Sequence, residues 1–278
     1  MTEAAFLITA AVLYLLASVA YGAHLLLRQP TLALSGRIAA LLAVALHTVA
    51  IGLECAQTHQ TPFTTPAETL SASAWAIALA YLVLDLGLEL LRRPRPFALG
   101  AVALPAAFLC LFAGALGHQS RPLTSVAPLL NSRLVSLHVL AILFAFGLLV
   151  LAFGCAALYL TQDRMLKRRR VKGGLFGLLP PLASLDQLAF TLVAFAFPLL
   201  TVGLGAGVVE ALIGGLHGVW GCDPMVLTSV VTWLFYGAYL GLHAMAQWRG
   251  PRANYLLLGG LLAALVTYFV PSSAHRFE

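Results

Sequence analysis

Eight apolar runs divide this chain, at about 4–27, 37–55, 70–91, 97–116, 133–161, 186–212, 225–247 and 253–271, with short polar breaks between them. A helix needs about 20 apolar residues to cross a bilayer, and each run is close to that length or longer. The pattern predicts an all-α, polytopic integral membrane protein with about eight transmembrane helices, organised as a single domain over 1–278. The longest breaks, about 56–69, 117–132, 162–185 and 213–224, leave no room for a soluble domain. The break at 162–185 starts basic and continues as GGLFGLLPPLASLDQ. Its Gly and Pro residues interrupt helix, and Ser184 is expected to cap the sixth span. The first run has neither a basic leader nor a small-residue cleavage site, so it is expected to stay as a helix rather than act as a signal peptide.

Composition supports the membrane reading. The chain is 61% hydrophobic and 9% charged, with mean hydropathy +0.93; soluble domains carry about 25% charged residues. Charge then adds an orientation. Of 16 Lys and Arg, 13 fall in alternate loops: Arg28, Arg37, Arg92, Arg93, Arg95, Arg164, Lys167, Arg168, Arg169, Arg170, Lys172, Arg249 and Arg252. Positive residues stay on the cytoplasmic side. Both termini are therefore expected outside, in a bacterial cytoplasmic (inner) membrane. The run MLKRRRVK at 165–172 reads as a topology anchor beside anionic lipid rather than an RNA-binding patch. Membrane lipid is the expected partner, and nucleic acid is not.

Several function classes drop out. No Walker motif or Gly-rich phosphate loop is present, which argues against ATP-driven work by this chain alone. No internal repeat points to an inverted-repeat transporter. Cys55, Cys110, Cys155 and Cys222 form no CxxC, so a zinc site, a thioredoxin-like redox pair and covalent haem attachment to the chain are all disfavoured. The predicted topology puts Cys55 and Cys222 near the outer face, where a disulfide is one reading and two unpaired apolar thiols the other.

Ionisable groups inside a membrane are costly and mark function by default. Asp85 and Glu89 lie close to Arg92 and Arg93 and are expected to pair with them. His47, His138 and His243 lie within apolar runs, while His24 ends the first and His59 sits in a polar break. Neutral imidazole is a haem-iron ligand, but a lone intramembrane histidine also serves as a hydrogen-bonding group. Trp220, Trp233, Tyr236 and Tyr239 can form an interfacial belt. Trp233, Tyr236 and Gly237 fall at i, i+3 and i+4, an aromatic face beside a glycine. Flat packing of another helix or of a porphyrin fits that face equally.

The segment LHGVWGCDPMVLTSVVTWLFYGAYLG at 216–241 resembles the tryptophan-rich motif WGxxWxWDPKETWxLITWLIYAxYLH of the cytochrome c assembly family, the CcsA/ResC group with its HemX-like relatives. Trp220, Asp223, Pro224, Thr232, Trp233, Tyr239 and Leu240 match in register. Further matches occur in order: LHTVAIGL at 46–53, Pro62, Glu68, AWAIALAYL at 74–82, Asp85, NSRLVSLHVLAILFAFG at 131–147 and LDQLAFTLVAFAFPLLTVGLGAG at 185–207.

The resemblance implies non-covalent haem b as cofactor, with histidines as axial ligands and no catalytic side chain or other metal. It assigns His138 to the first outer ligand, His275 more loosely to the second, and His47 to a membrane helix. His243 and His217 are weaker candidates, because the family's YLH would place histidine where this chain has Gly241. Trp220, Asp223, Pro224 and Trp233 would flank the haem. The motif is worn: Leu216 and Cys222 replace tryptophans, and MVLT at 225–228 replaces KETW. The implied function is a membrane haem-handling component of cytochrome c biogenesis, presenting haem at the outer face. It would not be an enzyme by itself. A ResB-type partner and apocytochrome c would complete the reaction. The alternative is a HemX-type regulator or scaffold of tetrapyrrole synthesis that transfers no haem.

Overall fold

The apolar runs fold as eight α-helices: α1 (Thr2–Leu27), α2 (Pro30–Thr58), α3 (Pro66–Leu90), α4 (Phe97–Leu116), α5 (Arg133–Lys167), α6 (Leu182–Ile213), α7 (Pro224–Met245) and α8 (Pro251–Phe269). The structure is a computed structural model that describes residues 2–58, 65–93, 96–116, 133–169, 179–213, 223–245 and 248–270. No strand occurs among the described residues. Among the described residues, seven helices, α1 to α7, are long and apolar enough to cross a membrane. The 19-residue α8 begins with Pro251 after Gly250. The chain is an all-α, multi-pass membrane protein.

Side chains are distributed as lipid dictates. In α1, Ile8, Val12, Leu16 and Val19 are exposed, whereas Ala10, Tyr14, Ala17 and Tyr21 are fully buried. Lipid tails are as apolar as leucine, so large aliphatics gain nothing by turning inward, while small residues let helix backbones approach. The buried alanines at 40, 43, 74, 76, 78, 103 and 107 follow the same rule.

Local chemistry sets the helix ends. Thr65 caps α3 by accepting from the Glu68 backbone N–H at 3.2 Å, with Pro66 in the first turn. Ser184 is not a cap. Pro180 and Pro181 bring the start of α6 forward, and Ser184 N already donates to the Pro181 carbonyl at 2.9 Å. Arg28, Arg92 and Arg169 follow α1, α3 and α5 with left-handed φ values of 57°, 53° and 54°.

Two compact units form, one from Met1–Gln119 with Leu158–Leu185 and the other from Ser120–Ala157 with Asp186–Glu278. In the first, α1 packs on α2, α2 on α3, α3 on α4 and α4 on α1, closing a four-helix ring. In the second, α7 packs on α8, and α6 meets α5 through Gly203 and Ile142 and α7 through Phe197 and Trp233. The 35-residue α5 contributes to both units.

Candidate functional site

In the second unit two histidines are held at well-separated points along α6, one near its start and one in its second half. His138 is half-buried near the start of α5, and its Nδ1 lies 2.7 Å from the Gly203 carbonyl. A carbonyl only accepts, so Nδ1 carries the proton and Nε2 of the neutral ring is left as the electron-pair donor. No described residue bonds to Nε2. Gly207 makes the approach possible, since a Cβ there would stand 2.8 Å from His138 Nδ1.

His243 is buried, with Nε2 3.2 Å from Asp186 Oδ2. The other carboxylate oxygen accepts from the Gly250 backbone N–H at 3.5 Å. Phe190 stacks on the imidazole at 4.5 Å between centroids. This is a carboxylate–histidine pair of the kind that fixes a metal-ligating ring, here with Nδ1 as the remaining donor. Asp186 and Gly203 are 17 residues apart on one helix, about 25 Å along its axis. His138 and His243 therefore cannot ligate the same iron.

The family register would put a histidine at position 241. A Cβ added there meets nothing within 4 Å. Since α7 runs unbroken from Pro224 to Met245, His243 stays about 200° around the helix from that position, on the face turned to α6.

Asp223 and Pro224 open α7. Asp223 Oδ1 accepts from Met225 N at 2.9 Å and from Val226 N at 3.4 Å, with Pro224 in the first helical position. This is helix capping, and it buries the Asp223 side chain. Trp233 stacks on Phe197 at 5.3 Å, and its Nε1 donates to Thr201 Oγ1 at 2.9 Å. Gly237 faces the same Phe197 ring, whereas Tyr236 turns to Gly260 of α8. The expected aromatic face is thus split, and one side of Trp233 is already covered by phenylalanine. Thr201 and Gly203 lie about 200° apart around α6, so Trp233 and His138 approach that helix at one level from different sides.

In the first unit His47 is fully buried and uses both nitrogens. Nδ1 is 3.2 Å from the Tyr14 hydroxyl, and Nε2 is 3.0 Å from Ser71 Oγ. Asp85 and Glu89, expected to pair with Arg92 and Arg93, are instead reached by Arg37 of α2. Its Nε lies 3.2 Å from Asp85 Oδ2, and its Nη2 pairs with Glu89. Asp85 and Glu89, at i and i+4, share the α3 face that meets α2, whereas Arg92 has already left the helix.

His275, His217, Trp220, His59 and Cys222 lie outside the described residues. Among the described residues, no group of three His, Cys, Asp or Glu could hold a metal ion. Sequence reasoning missed Asp186, whose one signal is a carboxylate early in an apolar run. It also missed the Gly203 carbonyl, which no side-chain pattern reveals.

An all-α membrane bundle with histidines tethered between helices defines a class of proteins. The family model described as "Cytochrome C assembly protein" matches residues 6–276, and the chain belongs to that family. Similar proteins include the cytochrome c biogenesis protein CcsA of Porphyra purpurea, 26% identical over 237 residues covering 72% of each chain. The CcsA of Guillardia theta is 25% identical over 80% of this chain and 76% of its own. That of Synechococcus sp. (strain CC9605) is 27% identical over 84% of this chain and 83% of its own. The family supports a role in cytochrome c assembly.

Proposed function

We propose that the chain is the haem-handling component of cytochrome c biogenesis, binding haem b non-covalently and presenting it at the outer face for attachment to apocytochrome c. The observation that carries this reading is His138: the Gly203 carbonyl holds its Nδ1 and leaves Nε2 as an iron donor. His275 would supply the second outer ligand, with Trp220 and the Asp223–Pro224 turn beside it. His243, oriented by Asp186, would serve a separate intramembrane site. For His47 to ligate, Tyr14 or Ser71 would have to give up a ring nitrogen, so the reading prefers His243 there. Haem supplies the electrophilic vinyl groups of thioether formation. The chain's own part is to ligate the iron and to hold the ring edge accessible. A ResB-type partner and apocytochrome c complete the assembly in a bacterial cytoplasmic membrane, with both termini outside.

The test is the absorption spectrum of protein purified from haem-replete cells. A Soret band that weakens in the His138→Ala, His275→Ala double variant supports the reading; an absent or unchanged band overturns it. The worn motif, with Cys222 and MVLT at 225–228, favours the HemX-type regulator as the second reading. Deleting the gene separates them. Loss of c-type cytochromes with normal total haem supports assembly, and altered tetrapyrrole precursors with normal cytochromes supports regulation.

A further inference from the structure

In the first unit α1, α2 and α4 border a half-open cavity of about 230 Å³ lined by His24, Pro30, Ala33, Leu34, Arg37 and Phe97. Four of these are apolar, and the other two bring nitrogen chemistry. The left-handed Arg28 turns the chain so that the Gln29 carbonyl returns to His24, 2.8 Å from Nδ1. Nδ1 is therefore the protonated nitrogen, and Nε2 of the neutral ring is an acceptor with no partner among the described residues. Phe97 meets the buried imidazole edge to face at 5.3 Å. Arg37 sets Nε 3.2 Å from Asp85 Oδ2 as an ion pair without a hydrogen bond, and donates from Nη2 to Glu89. A guanidinium has five N–H donors, so the ion pairs do not exhaust it.

The cavity thus sets a cation and a hydrogen-bond acceptor on an apolar floor. Arg37 in its wall meets Asp85 and Glu89, and Arg28 and Arg92 follow the ends of α1 and α3. Its volume falls below the ~300–1,000 Å³ of pockets that enclose a whole drug-sized ligand. Leu34, in its wall, also begins a stripe of exposed side chains with Ile38 and Leu42, at i, i+4 and i+8 along α2.

We propose that this cavity seats the headgroup of a membrane phospholipid. The phosphate diester meets the Arg37 guanidinium, an O–H or N–H of the headgroup donates to His24 Nε2, and an acyl chain follows Leu34, Ile38 and Leu42. Basic pockets between membrane helices take phospholipid headgroups by this chemistry. The His24 acceptor adds a selection: phosphatidylglycerol and phosphatidylethanolamine carry a donor, and phosphatidylcholine carries none.

Native mass spectrometry of the detergent-purified full chain, titrated with each lipid, tests this. The expected result is that phosphatidylglycerol and phosphatidylethanolamine bind about tenfold more tightly than phosphatidylcholine. The preference disappears in Ala33→Phe, which fills the cavity, and in His24→Phe, which removes the acceptor. sn-Glycerol 3-phosphate at equal concentration does not compete. Equal binding of the three lipids by the unmodified protein overturns the proposal even if neither variant folds. So does a preference that survives both substitutions. Competition by the soluble phosphate would make this an anion site instead, and a weakened Soret band in His24→Phe would make it a haem site.

Discussion

His47 in the first unit and His138 in the second both lie among apolar helices, and the sequence offers both as haem ligands. Their ring nitrogens are used differently. His47 is closed on both sides, by Tyr14 and by Ser71. His138 is closed on one side by a backbone carbonyl, and His243 on one side by a carboxylate. A histidine with both nitrogens satisfied inside a bundle joins three helices and gains nothing from iron. A histidine with one nitrogen fixed keeps its tautomer and its aim, which is what ligation needs. The number of committed ring nitrogens, more than burial or depth, separates the structural imidazole from the candidate ligand.

The comparison breaks most decisively at His138. His138→Ala is expected to abolish the haem signal of the outer site and, with it, c-type cytochrome maturation. Haem staining of membranes from a complemented deletion strain reads this, and normal maturation would remove His138 from the ligand set. Next in size is Asp186→Asn, which keeps the shape but loses the charge on His243. Disturbing such a carboxylate costs about 10–100-fold in metal affinity. Haem retention during a chelator-free dilution series should fall by that order in the intramembrane fraction of the spectrum, while the fraction governed by His138 persists.

His47→Leu is expected to act on stability alone. It orphans the Tyr14 hydroxyl and Ser71 Oγ, at about 1–3 kcal/mol for each group left without a partner. The thermal midpoint in detergent should drop while haem content per folded protein stays constant; a loss of haem in this variant would erase the distinction. The smallest and sharpest probe is Gly207→Ala. Its Cβ would stand 2.8 Å from His138 Nδ1, so it should push the ring off the Gly203 carbonyl at a cost of about 1–3 kcal/mol. A shifted or broadened Soret band with helicity unchanged is the expected result.

The helices were legible because lipid demands long apolar runs; most ends fall within four residues of the predicted ones, while α2 starts seven residues earlier and α5 ends six later. Ser184 was misplaced because two adjacent prolines started α6 before it. The pairing of Asp85 and Glu89 was misread for a different reason. Their sequence neighbours Arg92 and Arg93 looked sufficient, but a helix face decides partners, and that face meets α2 and Arg37. The same limit hid Asp186 from His243, 57 residues away. Motif order could nominate His138, yet which nitrogen it offers depends on a carbonyl 65 residues distant. Backbone acceptors have no letter in the sequence.

The three left-handed arginines that follow α1, α3 and α5 carry a consequence for biosynthesis. A non-glycine residue in that conformation is strained by about 1–3 kcal/mol, and glycine would adopt it freely. Glycine, however, carries no charge, and positive charge beside a span biases which way the span inserts. That decision is taken once, while the chain is being threaded into the bilayer and before any helix has packed. The finished protein then lives with three taut turns as a record of how it was oriented.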